Sequence, residues 1–260
     1  MTVPEYVAGH DLLAGKVVAV TAGAGAGIGA SVVRRALEEG ARAVVFSDTH
    51  ERRLAEAEAT LAEEFGADRV RQLVCDVTDD AQVAAFLDAA DDFGGVDVMI
   101  NNAGLGGTAS ILEMTDDQWS TVLDITLTGT FRCIRAAGQR MVAAGRRGVI
   151  VNNASVIGWR AQEGQAHYAA AKAGVMALTR CAAMDLAPHG IRVNAVSPSL
   201  AMHPFLAKVT SDELLDELTS REAFKRAAEP WEVANVMVFL ASDYSSYLTG
   251  EVVSVSSQHA

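Results

Sequence analysis

Basic residues are scarce in this 260-residue chain: 21 Lys and Arg face 33 Asp and Glu, the formal charge is −12, and no Lys/Arg-dense run occurs. Nucleic acid, which is drawn by a clustered basic face, is therefore not an expected partner. Any anionic ligand must be met by local features, because the overall field repels it. Cysteine is equally sparse. Cys75, Cys133 and Cys181 are widely separated and form no C-x-x-C pair, so free thiols in a reducing cytoplasm are the simple reading, and no metal site is expected. The N-terminus, MTVPEYVAGH, has no basic stretch followed by an apolar one, and no secretory leader is expected. The longest uncharged run, Val17 to Val33, spans 17 residues and contains four glycines, which suits a strand, a loop and a helix start better than a membrane span.

What is present is a core-forming sequence, 50% hydrophobic, with a regular rhythm. Short β-branched runs at 16–22, 41–48, 69–77, 96–104, 148–155, 190–197 and 251–257 give seven strand candidates. Between them lie helical patterns such as 30–40, 50–66 and 80–94, whose apolar positions recur every three or four residues. Near-continuous apolar strands separated by helices predict an α/β fold, a parallel sheet covered on both faces. No Pro/Gly/Ser-rich linker and no repeat divides the chain, which predicts one domain over 1–260. The segment at about 199–229 breaks the rhythm and is read as a lid over a pocket.

Directly after the first strand comes TAGAGAGIGA (21–30), leading into a helix. A glycine-rich turn there lets backbone N–H groups approach a phosphate at the helix N-terminus, and G25-x-G27-x-x-A30 fits the dinucleotide pattern; a tight structural turn would look the same. Asp48 closes the second strand, where a carboxylate accepts from ribose hydroxyls and repels a 2′-phosphate. The loop itself carries no Arg or Lys. Both features favour NAD over NADP, with His50, Arg52 and Arg53 close enough to keep NADP open. As alternatives, Asp48 caps the following helix, and Asp76, ending the third strand, is either an N-cap or an adenine contact.

In HYAAAKAG (167–174), Tyr168 and Lys172 stand four apart in a run of alanines and so share a helix face. Chance places a Lys four after a Tyr only ~0.06 times in such a chain. An ammonium beside a phenol favours phenolate, and a phenol so tuned can pass a proton to or from an alcohol oxygen. Ser155, at the end of the fifth strand, is placed to hydrogen-bond the same oxygen.

TAGAGAGIG, Asp76, NNAG (101–104), Ser155, YAAAK (168–172) and VNAVSP (193–198), in this order and spacing, resemble the short-chain dehydrogenase/reductase superfamily over essentially the whole chain. The resemblance implies a single Rossmann-type, doubly wound parallel sheet of seven strands, a homotetramer or homodimer, and hydride exchange between a nicotinamide and an alcohol or ketone. It implies that Ser155 polarises the substrate oxygen, that Tyr168 is the acid/base, and that Lys172 lowers the Tyr168 pKa and holds the nicotinamide ribose. Gly23, Gly27, Ile28 and Gly29 would shape the phosphate loop, with Asp48, Asp76, Val77, Asn102, Ala103, Gly104 and Pro198 bordering the cofactor.

Three departures stand out. The glycine loop is one residue longer than the common pattern, which leaves the parts of Ala22 and Gly23 open. Thr126 in VLDITL replaces the Asn that supports a proton relay from the Lys. His203 replaces the Thr that touches the nicotinamide amide, and either donates to that amide, faces substrate or is packed under the lid.

With GWRAQ (158–162), DYSSYLTGE (243–251) and the ending SVSSQHA (254–260), the chain is also similar to actinobacterial dehydrogenases of steroid catabolism that act on a bicyclic indane-type acyl-CoA. That likeness implies a CoA thioester substrate. Arg160, Lys208, Arg221, Lys225 and Arg226 are candidate partners for its phosphates, and Trp159, Met202 and Phe205 for its rings; core packing or a solvated surface accounts for the same residues. Two rival readings remain: an NADPH-dependent 3-oxoacyl-thioester reductase, and a non-catalytic dinucleotide sensor that has no need of Ser155, Tyr168 and Lys172 together.

Overall fold

In the computed structural model, which describes residues 2–202 and 212–257, strand residues alternate between two hydrophobic cores. On β1 (Val17–Val20), Val18 and Val20 join one core while Val17 and Ala19 join the other. On β2 (Ala43–Asp48), Val44 and Phe46 likewise face away from Val45. A strand buried on both faces needs apolar residues at every position, which explains the near-continuous runs in the sequence.

The remaining strands are β3 (Val70–Val74), β4 (Val98–Asn101), β5 (Val149–Asn153), β6 (Arg192–Pro198) and β7 (Val252–Val255). All seven pair in parallel, in the order β3-β2-β1-β4-β5-β6-β7. The sequence-predicted strands are present and start later than predicted; five also end earlier, while β2 ends at Asp48 as predicted and β6 runs one residue further, to Pro198. The connections leave β1 in one direction and β4 in the other, so a crevice opens between these strands at their carboxyl ends.

The first core takes in α1 (Ile28–Glu38), α2 (Glu51–Phe65) and α8 (Pro230–Ala241); the second takes in α3 (Asp80–Asp88), α5 (Gly129–Ala143) and α6 (Ala166–Leu186). The helical pattern over 80–94 is only partly α-helix: α3 ends at Asp88, and a 3-10 turn over Asp91–Phe93 follows. A fourth helix, α4 (Asp116–Leu123), runs into α5 through one π-helical turn, Asp124–Thr128, which buries Thr126 completely. Such turns widen the backbone ring and re-aim a side chain.

The excursion after β6 includes α7 (Asp212–Arg221) and begins and ends at one place. Ala201 bridges to Ala228, the Ala228 amide donates to Leu200 O at 2.8 Å, and the Met202 amide donates to Ala228 O at 2.9 Å. At the opposite end of the chain, residues 2–12 strap across α1 without regular structure. The buried Arg35 guanidinium donates to Val7 and Ala8 carbonyls and pairs with Glu39, whose carboxylate accepts from the His10 and Leu12 amides. Tyr6 closes the strap edge-on against Trp231 at 5.2 Å.

Candidate active site

The glycine turn between β1 and α1 leaves a cradle rather than a filled corner. A Cβ on Gly27, the N-cap of α1, would meet nothing within 4 Å, so the first amides of the helix face open space. A Cβ on Gly29 would lie 2.1 Å from Ala22 O and 2.5 Å from the Asn102 amide nitrogen, so the helix approaches the turn as closely as only glycine permits. Ala22, with a φ of +50°, takes the left-handed turn, while Gly23 is enclosed by Phe46 and Val33. Open amides at a helix N-terminus fit the pyrophosphate of a dinucleotide.

Asp48 ends β2 half-buried. Its Oδ1 accepts the His50 amide at 3.1 Å and pairs with Arg53 at 3.3 Å, so it shapes the entry to α2 without capping it; the N-cap position belongs to His50. An open cleft of about 280 Å³ between α1 and α2 brings Arg34 and Arg53 to the flank of Gly23 and Gly25. The loop lacks a cation in sequence, yet α1 and α2 supply two from the side. The N-cap reading of Asp76 does not hold: Asp79 caps α3 by accepting from Ala81 and Gln82, and Asp76 instead closes a turn on the amide and hydroxyl of Thr78. Val77 is buried against Gly129.

Two asparagine pairs join β4 and β5, where the register sets Asn101 opposite Asn152. The Asn102 amide nitrogen donates to Ala22 O at 3.1 Å, and because a carbonyl only accepts, the Asn102 oxygen must face Asn153, which donates to it at 2.9 Å. On the other sheet face, Asn101 donates to Asn152 and Asn152 to Thr179. Thr21 Oγ1 accepts both the Asn102 and the Ala103 amides at 3.0 Å. These bonds fix NNAG against the glycine turn.

Lys172, buried on α6, donates from Nζ to the Asn153 carbonyl. Its Nζ lies 5.5 Å from the Tyr168 ring centroid, and a Cβ on Gly104 would lie 3.4 Å from it. Burial pulls the Lys172 ammonium down to about 8. Burial also pushes the Tyr168 phenol up to about 12, against the opposing hydrogen bond with Ser155. In the protein alone, desolvation thus outweighs the lowering expected from the lysine.

Ser155 is held by its place at the head of a 3-10 turn, Val156–Gly158, where its Oγ accepts the Ile157 amide at 3.3 Å. That turn presses directly on α6: a Cβ on Gly158 would lie 3.0 Å from the Ala173 nitrogen. Strand end and helix are thereby locked together, which brings Ser155 to Tyr168.

Thr126 does something the sequence did not suggest. Its hydroxyl accepts the Leu105 amide at 3.0 Å and donates to the Leu105 carbonyl at 3.1 Å, while its own carbonyl accepts from Thr130 at 2.8 Å. It pins the loop after NNAG beside Lys172. Ile28 opens α1 packed on the core, and Pro198 ends β6 buried.

Among the substrate candidates, Trp159 is exposed and Arg160 half-buried just beyond the Ser155 turn, and Met202 sits half-buried at the root of the excursion. Arg226 is half-buried in a two-pronged pair with Glu232, and Arg221 pairs with Glu217, so both have internal work. His203, Phe205 and Lys208 lie outside the described residues.

The family described as enoyl-(acyl carrier protein) reductase matches residues 23–257. The (5R,7aS)-5-hydroxy-7a-methyl-1-oxo-2,3,5,6,7,7a-hexahydro-1H-indene-carboxyl-CoA reductase of Mycobacterium tuberculosis is 62% identical over 257 residues, which are 98% of this chain and 97% of that protein. A 3-oxoacyl-(acyl-carrier-protein) reductase of Staphylococcus aureus is 35% identical over 92% of this chain and 96% of its own. The crystal structure of a short chain dehydrogenase from Mycobacterium smegmatis superposes with a TM-score of 0.88 at 54% identity, covering 100% of this chain and 99% of that one.

Proposed function

Because the chain belongs to the short-chain dehydrogenase/reductase family and is an oxidoreductase that uses a nicotinamide dinucleotide, we propose that it interconverts a secondary alcohol and a ketone on a bicyclic, steroid-derived acyl-CoA, with NAD as its cofactor. The observation that carries the chemistry is the meeting of Ser155, Tyr168 and Lys172 at the carboxyl end of the sheet, beside an open glycine cradle.

In this reading Ser155 hydrogen-bonds the reacting oxygen and Tyr168 gives it a proton in reduction or takes one in oxidation. Lys172 supplies positive charge next to the phenol and is positioned by Asn153 O. Hydride chemistry at the carbon bearing that oxygen would be supplied by a dinucleotide held at the glycine cradle and NNAG. Thr126 supports the Leu105 loop, and the segment whose ends meet at Ala201 and Ala228 is read as the lid over the substrate. Asp48 supports NAD, since its charge opposes a 2′-phosphate.

The substrate class rests on the relative at 62% identity, whose name is that of a hydroxy-indene carboxyl-CoA reductase. The rival 3-oxoacyl-thioester reductase with NADPH draws on the relative at 35% and on the flanking Arg34 and Arg53. Initial rates with NAD(H) and NADP(H) on indane-type hydroxyacyl-CoAs, 3-hydroxyacyl-CoAs and simple secondary alcohols separate the two. Turnover confined to fatty 3-oxoacyl thioesters with NADPH would overturn the reading. Tyr168→Phe tests the chemistry itself: turnover should collapse by at least roughly a hundredfold while NADH binding persists. A protein that binds NADH but turns over none of these compounds would be a sensor.

A further inference from the structure

We propose that His167, the residue before the acid/base, is a positioning residue: its ring caps the backbone amide of Tyr168 and holds the phenol in place only while the imidazole is neutral. The proposal rests on the reading of Tyr168 given above. The first hydrogen bond of α6 runs from the Ala169 amide to Gln165 O at 2.8 Å, so the Tyr168 amide comes one residue too early to find a helix carbonyl. Gln165, at the N-cap, gives the helix no side-chain bond; its amide donates to Thr108 Oγ1 at 3.1 Å instead. The orphan is met from inside the helix, by His167 Nδ1 at 2.9 Å.

A backbone N–H only donates, so Nδ1 must carry a lone pair and the ring proton must sit on Nε2. His167 is 2% exposed, and its Nε2 end faces Gly107, where a Cβ would lie 3.3 Å away. A Cβ on the neighbouring Gly106 would lie 3.8 Å from the Tyr168 ring. One two-glycine stretch therefore packs on both rings, and a shift of one is felt by the other. Asp117 of α4 lines the same open cleft as His167; Tyr168 and Lys172 are the titratable groups of α6 nearest in sequence, and the Leu105–Thr108 loop adds none. Protonation of Nδ1 would set two N–H groups against each other, release the first turn of α6, and displace the phenol.

The test compares wild type with His167→Asn, His167→Gln and His167→Ala. The Asn oxygen falls near the position of Nδ1 and does not titrate, whereas Gln reaches toward Nε2 and leaves the amide bare. His167→Asn should keep kcat within about twofold and lose the fall in kcat toward acid pH. His167→Gln and His167→Ala should lose about tenfold in kcat, the equivalent of one lost helix cap, with KM and NADH dissociation constant unchanged. Hydrogen exchange at the Tyr168 amide, corrected for intrinsic rate, reads the cap without any turnover. Protection should persist in His167→Asn, vanish in His167→Gln, and fall in wild type as pH drops. If His167→Gln matches wild type in kcat and in protection, or if wild-type protection does not change with pH, the proposal is overturned. Should no acyl-CoA be turned over, the substrate reading fails while the exchange result still decides this one.

Discussion

At the scale of single residues, the site depends on charges shared among several partners. Asp48 is the plainest case, because its one carboxylate has three claimants: the His50 amide, the Arg53 guanidinium and, in the bound state, a ribose. Removing it deletes the repulsion toward a 2′-phosphate and frees Arg53 beside Gly25. Asp48→Ala should therefore shift the ratio of kcat/KM for NADPH over NADH upward by roughly tenfold or more, equivalent to about 1.4 kcal/mol of charge interaction. An unchanged ratio, measured as paired initial rates, would remove Asp48 from cofactor choice. Ser155, Tyr168 and Lys172 were legible in the sequence because side chains have letters. His167, Asn153 and the hold of Thr126 on Leu105 were not, because each works on or through a main-chain atom: the Tyr168 amide, Asn153's own carbonyl toward Lys172, and both polar groups of Leu105.

Elements were legible in proportion to how fully they are buried. The strands were plain because both faces need apolar residues, and their overlong predicted ends reflect residues such as Asn102 and Ser155 that continue toward the crevice after pairing stops. Asp76 stays open to two readings in the sequence because a carboxylate three residues before the actual cap, Asp79, looks the same on paper; the structure removes only the N-cap alternative. The C-terminus of α8 shows a device that crosses between elements. Arg192, from the start of β6, donates to the carbonyls of Leu240, Ser242 and Leu248 and to Ser245 Oγ. Leu240 O and Ser242 O lie at the negative end of α8, where a cation is a favourable partner, and one guanidinium ties them to the turn that follows. Arg192→Met should destabilise the protein by about 2–4 kcal/mol in urea unfolding, with Arg192→Lys recovering only part, since an ammonium does not span the same set of oxygens. Equal stability of Arg192→Met and wild type would show that water serves those carbonyls as well.

For the molecule as a whole, the active site is a stability cost that varies with pH. Lys172 titrates at about 8 in the folded protein against an ordinary 10.5. Below pH 8 both states hold the proton and the penalty is constant. Between pH 8 and about 10 the unfolded chain still holds it while the folded protein does not, so stability rises with pH. Tyr168 acts with the opposite sign higher up: its folded value of about 12 means that the unfolded phenol ionises first, and stability falls from about pH 10 upward. Denaturant unfolding at pH 8, 9 and 10 should show wild type gaining about 1–3 kcal/mol relative to Lys172→Met. Parallel curves would mean that the buried lysine keeps its charge.

The bonds that tie Leu200 and Met202 to Ala228 have a consequence for how such a protein can be altered. They make the chain between them a graft with a fixed seam. Its ends meet whatever is stitched in, and doubling its length adds only about 0.6 kcal/mol of closure entropy. Transplanting residues 203–225 from a relative, with Arg226 kept for its pair with Glu232 of α8, should thus change what is recognised while β6, α8 and the proton-handling residues stay as they are. An unchanged substrate preference after the exchange would take this cassette out of recognition.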